Sequence, residues 1–403
     1  MKASLYDSSW TVYSIPQITP SLSKLVSAPA TTLQAHEKRR EQLASHAESF
    51  REYLDESRPR HERDDEKTSL GGLKHSLWTR LDNMLDQDEH PHSPVLHAGK
   101  KRPRQQLEQE NERTQSNALV VCLAYEKETY KFIIYTTSAS SARSSKRRRT
   151  ASPTSQSTSA PSTDATAILL AKSSPATLKR FTTYLSDRFS VDAIRPLSLS
   201  SLFLQSSLER YVSTVPSALL GQIRLTLPFA RPIAPDLKSL EIAVPRETTE
   251  SFTKVRASQQ RRSGPRQTRG EKLFMHHLAN SILNKTGLSI PVICNVHGGE
   301  DSPVVDPQRD TNPARISKVS TVCFALSAEC RLKFERKAVE AAEGVKGVHD
   351  EGKGEDAGED DTDPDPDGAE NCVKRANREL LAALVDEARR QVRDESNPSD
   401  SGG

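Results

Sequence analysis

The side chains best suited to chemistry in this sequence are its histidines, cysteines and clustered acids, and their spacing decides what they could do. His90, His92 and His97, in HPHSPVLH, form the one metal-like spacing. A zinc site needs ligands presented by fixed elements, whereas this polar segment contains prolines and no nearby cysteine or acid that a helix or strand would hold in place. It reads as loop composition. His276 and His277 are adjacent, so a helix projects them about 100° apart and away from a shared ion. Asp363, Asp365 and Asp367, in DPDPD, lack the glycine and closing glutamate of a calcium loop. No Walker-type phosphate loop, GxGxxG turn, GxSxG elbow or HExxH helix occurs. The expectation is a non-enzymatic protein with no catalytic residue, no cofactor and no metal.

Chemistry of another kind is present in the basic runs. Lys146, Arg147, Arg148 and Arg149 stand consecutively in RSSKRRRTASP, the form of charge that an import receptor's acidic groove takes from a flexible chain. Lys100 to Arg104, KKRPR, is a second such cluster. Thr150 and Ser152 flank the first run, and a phosphate there would cancel about 1.5 to 2 charges. Lys254, Arg256, Arg261, Arg262, Arg266 and Arg269 follow one another with no acid between them, a plausible row of DNA phosphate contacts. No aromatic is interleaved, so base stacking is not indicated, and a solvated loop is the equal alternative.

Composition sets the frame for these segments. With 403 residues, 34% hydrophobic and 5% aromatic, the chain is thin in core-forming residues for its length, so a large part is expected to lack packed structure. The net charge is only +3, yet bases gather before residue 273 and acids after 349. Cys122, Cys294, Cys323, Cys330 and Cys372 are odd in number and mostly lie in apolar or helical runs, which suits reduced, buried thiols in an intracellular protein. No apolar run approaches the roughly 20 residues of a membrane helix, and no signal peptide is visible. No membrane partner is expected.

The elements that must position everything else are clearest from Glu271 to Val339. EKLFMHHLANSILNKTG places Phe274, Met275, Leu278, Ala279 and Ile282 on one arc, with Thr268 and Glu271 in capping-box register and Gly287 as the stop. A strand over Ser289 to Val296 is expected next. ARISKVSTVCFALSAECRLKFERKAV then reads as a two-armed hairpin. Its first arm is apolar on both faces. Its second arm alternates: Leu332 and Phe334 face one way, Arg331, Lys333 and Glu335 the other. That pattern predicts a half-solvated sheet edge that a partner strand could extend, so Arg331 to Glu335 are the expected partner-binding residues.

Elsewhere the pattern predicts a first strand in SLYDSSWTVYSI and an amphipathic helix through Leu43, Ala47, Phe50 and Leu54. A second helix is predicted in GGLKHSLWTRLDNMLD through Leu73, Leu77, Leu81 and Met84. A buried hairpin spans residues 118–137. A strand at Thr166 to Ala171 precedes a helix begun by Ser174 and Pro175. A helix from about Ser200 to Val212 and strands at Gly221 to Leu227 and Leu237 to Val244 complete the middle. Eleven acids and one lysine between Asp350 and Glu370 mark a self-repelling linker. Beyond it Val373, Leu380, Leu384 and Ala388 mark a helix, and the tail past 349 is expected to be dispensable for folding.

Three stretches, ISKVSTVCFALSAECRLKF, LYDSSWTVYSI and LKSLEIAVPRETTESF, resemble the centromere protein L (CENP-L) family of inner-kinetochore subunits, of which fungi have a divergent branch. Cys330 stands in the SAEC turn where the resemblance leads one to expect a small residue such as glycine. The resemblance implies an α+β fold, a curved, mostly antiparallel sheet with helices packed on one face, interrupted here by long disordered insertions and an acidic tail. It also implies a nuclear protein of the centromere and kinetochore that acts in chromosome segregation. It would pair with a CENP-N-like subunit and other inner-kinetochore proteins and help to anchor the constitutive centromere complex on centromeric chromatin. Homodimerisation and heterodimerisation both fit the sequence. The alternative is a general nuclear nucleic-acid-binding protein acting through its basic loop, with non-specific DNA contact. The expected organisation is 1–138 as the N-terminal part of the α+β domain, with a polar insertion at 86–116. A disordered basic linker at 139–164 follows, then the rest of the domain at 165–345, an acidic linker at 346–370 and a C-terminal amphipathic helix at 371–395.

Overall fold

A computed structural model describes residues 5–27, 33–56, 70–81, 116–137, 166–228, 238–253, 274–290, 315–347 and 371–396. The class is α+β, with mostly antiparallel sheet. The chain divides into two compact units, with the main change from one to the other between Leu197 and Ser198. Unit 1 draws on Met1–Leu5, Trp10–Leu197 and Ala382–Gly403; unit 2 on Tyr6–Ser9 and Ser198–Leu381.

The strands of unit 1 lie in the order β2 (Leu73–Leu81), β3 (Ser116–Tyr125), β4 (Thr129–Thr137), β5 (Ala167–Lys172) and β1 (Ser9–Ile15), with β6 (Arg195–Pro196) also on β1. Every pairing is antiparallel. Alternation sends Leu119, Val121 and Leu123 of β3 to one face, beside Phe132, Ile134 and Leu169. On that face lie α1 (Pro20–Ser27), α2 (Leu33–Glu56) and α3 (Pro175–Phe189). In α2 the predicted stripe of Leu43, Ala47, Phe50 and Leu54 is buried. Helix α3 starts where the sequence places it, with the Ser174 hydroxyl accepting from the Thr177 amide at 3.3 Å and Pro175 in the first turn. The other face is buried as well, at Val12, Val120, Ile133, Ile168 and Leu170.

The predicted helix through Leu73, Leu77 and Leu81 is instead strand β2, paired with β3 along its length. Leucines spaced by four fit either period, and the choice is made by a partner: the open side of β3 supplies a ladder. An irregularity between Leu73 and His75 shifts the alternation, so that Trp78 enters the core beneath α2 while Leu77 is left 43% exposed. Met84 lies outside the described residues.

Unit 2 orders its strands β11 (Arg331–Phe334), β10 (Phe324–Ser327), β9 (Lys318–Ser320), β7 (Ile223–Pro228) and β8 (Ser239–Val244), all antiparallel. The predicted two-armed hairpin is therefore three short strands. The first arm breaks because the Thr321 hydroxyl accepts from the amides of Cys323 and Phe324 at 3.1 and 3.2 Å, a local alternative to the ladder. In the next turn Cys330 has φ 52° and donates its amide to the Ser327 carbonyl at 2.9 Å. This is the left-handed conformation that favours glycine, so the residue departs from the turn's preference while the turn itself is kept.

Unit 2 also holds helices α4 (Ser201–Thr214), α5 (Ser217–Leu220), α6 (Phe274–Thr286) and α7 (Arg336–Gly347), a helical stretch at 246–253 just after β8, and the first part of α8 (Cys372–Ser396). Helix α6 buries the five residues predicted for it. Its first amides, at Phe274 and Met275, donate to the two carboxylate oxygens of Glu209 in α4 at 2.9 and 2.8 Å. Thr268 and Glu271 lie outside the described residues, as do residues 291–296 of the expected strand; Leu288 to Ile290 are not strand.

Helix α8 is buried, against the expectation that the tail past 349 is dispensable for folding. Val373, Leu381, Leu384, Val385 and Ala388 of α8 are fully buried. Asn371 caps the helix, accepting from the Val373 amide at 3.0 Å while donating to the Val339 carbonyl of α7 at 3.0 Å. A helix that buries its whole apolar stripe belongs to the core, whatever the polarity of the segment before it.

Candidate interaction surfaces

The predicted partner-binding strand, Arg331 to Glu335, is not an open edge. Strand β11 pairs with β10 through Phe324–Phe334, Ala325–Lys333 and Leu326–Leu332. On its other side Tyr6 forms a parallel bridge to Phe334, and the Asp7 amide donates to the Phe334 carbonyl at 2.8 Å. Asp7 Oδ1 then accepts from the Arg336 amide at 3.0 Å, and the Tyr6 and Phe334 rings meet edge to face at 6.4 Å. The alternation does separate one buried from one solvated face: Leu332 and Phe334 are fully buried, and Arg331, Lys333 and Glu335 carry exposed or half-exposed side chains. Alternation reports faces, however, and not edges; a segment more than 320 residues away in sequence occupies the backbone at Phe334.

The terminal strand of unit 2, among the described residues, is β8. One apolar row crosses the sheet through Leu332, Leu326, Val319, Leu225 and Ile242. The first four are buried to within 1% of full coverage, and Ile242 is only half-buried. Leu240, across from the fully buried Leu227, is half-buried in the same way. The opposite face of β8 presents Ser239, Glu241 and Ala243 to solvent. Glu241 Oε1 accepts from Arg224 Nη1 at 3.3 Å, with both side chains more than half exposed, an arrangement worth about 0 to 1 kcal/mol. The sequence signal for this strand, an alternation closed by Pro245, predicts the strand but contains nothing that places it last in the order.

The buried phenol and thiols described in unit 2 are held in their protonated forms. Tyr211 donates its hydroxyl to Asn377 Oδ1 at 2.8 Å, and burial raises its pKa well above the ordinary value. Cys323 donates to the Leu219 carbonyl at 3.2 Å, and burial pushes its thiol up to about 12. Burial raises Cys330 as well. Thiols held protonated are poor nucleophiles and poor metal ligands. Among the described residues no group of three His, Cys, Asp or Glu could hold a metal, and no helix is long and apolar enough to cross a membrane.

The basic segments named from sequence, Lys146 to Arg149 and Lys254, Arg256, Arg261, Arg262, Arg266 and Arg269, lie outside the described residues. So do Thr150, Ser152, the histidines of HPHSPVLH and the aspartates of DPDPD.

No curated protein matches the chain. The family profile described as centromere protein L matches residues 4–389, nearly its whole length and far beyond the three stretches that carry the resemblance. The chain therefore belongs to the centromere protein L family, and is a nuclear protein of the centromere and kinetochore.

Proposed function

We propose that the chain is a structural subunit of the inner kinetochore that pairs with a CENP-N-like subunit and helps to anchor the constitutive centromere complex on centromeric chromatin. The observation that supports this reading, beyond family membership, is a sheet whose apolar rows run on to a half-covered last strand. Strand addition at such an edge would satisfy backbone groups and continue the core. The solvated side chains Arg331, Lys333 and Glu335 would contribute to a partner surface through the exposed face of β11. Their neighbours Leu332 and Phe334 would hold that row in place. Lys146 to Arg149 would serve as the import signal, and the bases from Lys254 to Arg269 would contact DNA phosphates without reading sequence.

The test is to express the fluorescently tagged full chain in its own cells and to purify it with bound proteins for mass spectrometry. Centromeric foci and recovery of a CENP-N-like subunit are expected. An even nuclear signal with no such partner would overturn the reading. A steep loss of DNA affinity with added salt, with no protein partner, would favour a general nucleic-acid-binding protein instead.

A further inference from the structure

Strand β8 also specifies the chemistry of what it would pair with. On one face Leu240 and Ile242 end two apolar rows whose inner members, Leu227 and Leu225, are fully buried. A neighbouring strand with apolar residues at positions i and i+2 would cover both. Between them, on the other face, Glu241 uses Oε1 for Arg224, and no second described residue pairs with its carboxylate. Apart from the charge of Glu241, the strand SLEIAV lacks three devices that keep an exposed edge from accepting another strand: lysine, proline and a bulge.

We infer that β8 takes a partner strand of alternating apolar and basic residues, apolar side chains against Leu240 and Ile242 and a lysine or arginine opposite Glu241. This inference rests on the pairing reading above and names the strand chemistry that the pairing would use. The charge row would run from Arg224 through Glu241 to the partner's base, and the apolar rows would each gain one member.

The full chain is titrated, in about 0.15 M salt to limit non-specific attraction, against a fluorescein-labelled peptide alternating valine with lysine and its counterpart with glutamate for lysine. Fluorescence anisotropy should show the lysine peptide bound about two- to fivefold more tightly, the scale of one cross-strand charge pair. Glu241→Lys should reverse that preference, and Ile242→Ser should weaken both peptides. Equal binding of the two peptides, or a preference that Glu241→Lys leaves unchanged, overturns the inference. So does absence of binding together with slow amide exchange across β8 in the chain alone, which would mean that a segment of the same chain covers the edge. If a CENP-N-like subunit co-purifies equally with the unaltered chain and with both variants, the edge assignment fails while the pairing reading stands. If neither partner nor foci are found, the pairing reading fails by itself.

Discussion

The two units of this chain reach stability by different routes. In unit 1 the central strands are long, ten residues in β3 and nine in β4, and both faces are buried. Phe132 stacks on Phe181 of α3 at 4.2 Å, and Phe50, Trp78, Tyr184 and Phe189 close the same aromatic cluster. Apolar area and dispersion carry such a unit. In unit 2, β9, β10 and β11 have three or four residues each. Ladders so short are tied at their ends by side chains from elsewhere, Ser201 Oγ accepting from the Ile316 amide at 3.0 Å and Asp7 from that of Arg336; Glu209 likewise seats the start of α6 by accepting from the amides of Phe274 and Met275. A core held by area tolerates loss of a polar contact, whereas one held by ties should fail at its polar joints.

That contrast can be broken by substitution. The largest effect is expected in unit 1, where Phe132→Ala removes a fully buried ring and should cost about 3 to 5 kcal/mol in denaturant unfolding. In unit 2, Tyr211→Phe leaves Asn377 Oδ1 without its donor in a fully buried site, and about 1 to 3 kcal/mol should be lost although almost no volume changes. A Tyr211→Phe protein as stable as the parent would show that unit 2 is held by area after all. The smallest effect belongs to Glu209→Ala, which uncaps α6 and should cost about 1 kcal/mol. Amide hydrogen exchange should localise that loss to Phe274 through Leu278; unchanged exchange there would mean that apolar packing alone seats the helix.

The same contrast explains which parts of the structure could be read without coordinates. The α2 stripe, the hairpin at 118–137, the Ser174–Pro175 start of α3 and the five buried residues of α6 follow from local periodicity and capping, which act over a few residues. Pattern and structure part where a distant segment makes the choice: Leu73 to Leu81 is strand because β3 offers a ladder. The candidate site suffered most. Its alternation was legible in RLKF, but whether an edge is open depends on what lies beside it, and Tyr6 and Asp7 lie there.

By itself, then, the sequence determined the class of fold, the faces of its helices and strands, the lack of catalytic motifs and the family resemblance that the match over residues 4–389 bears out. Those properties depend on side-chain type at fixed local spacing. Strand order, the identity of the last strand and the burial of α8 were decided only in the tertiary structure. Each is a relation between segments far apart in the chain, and hydrophobic pattern sets which face of an element is buried without specifying which neighbour buries it.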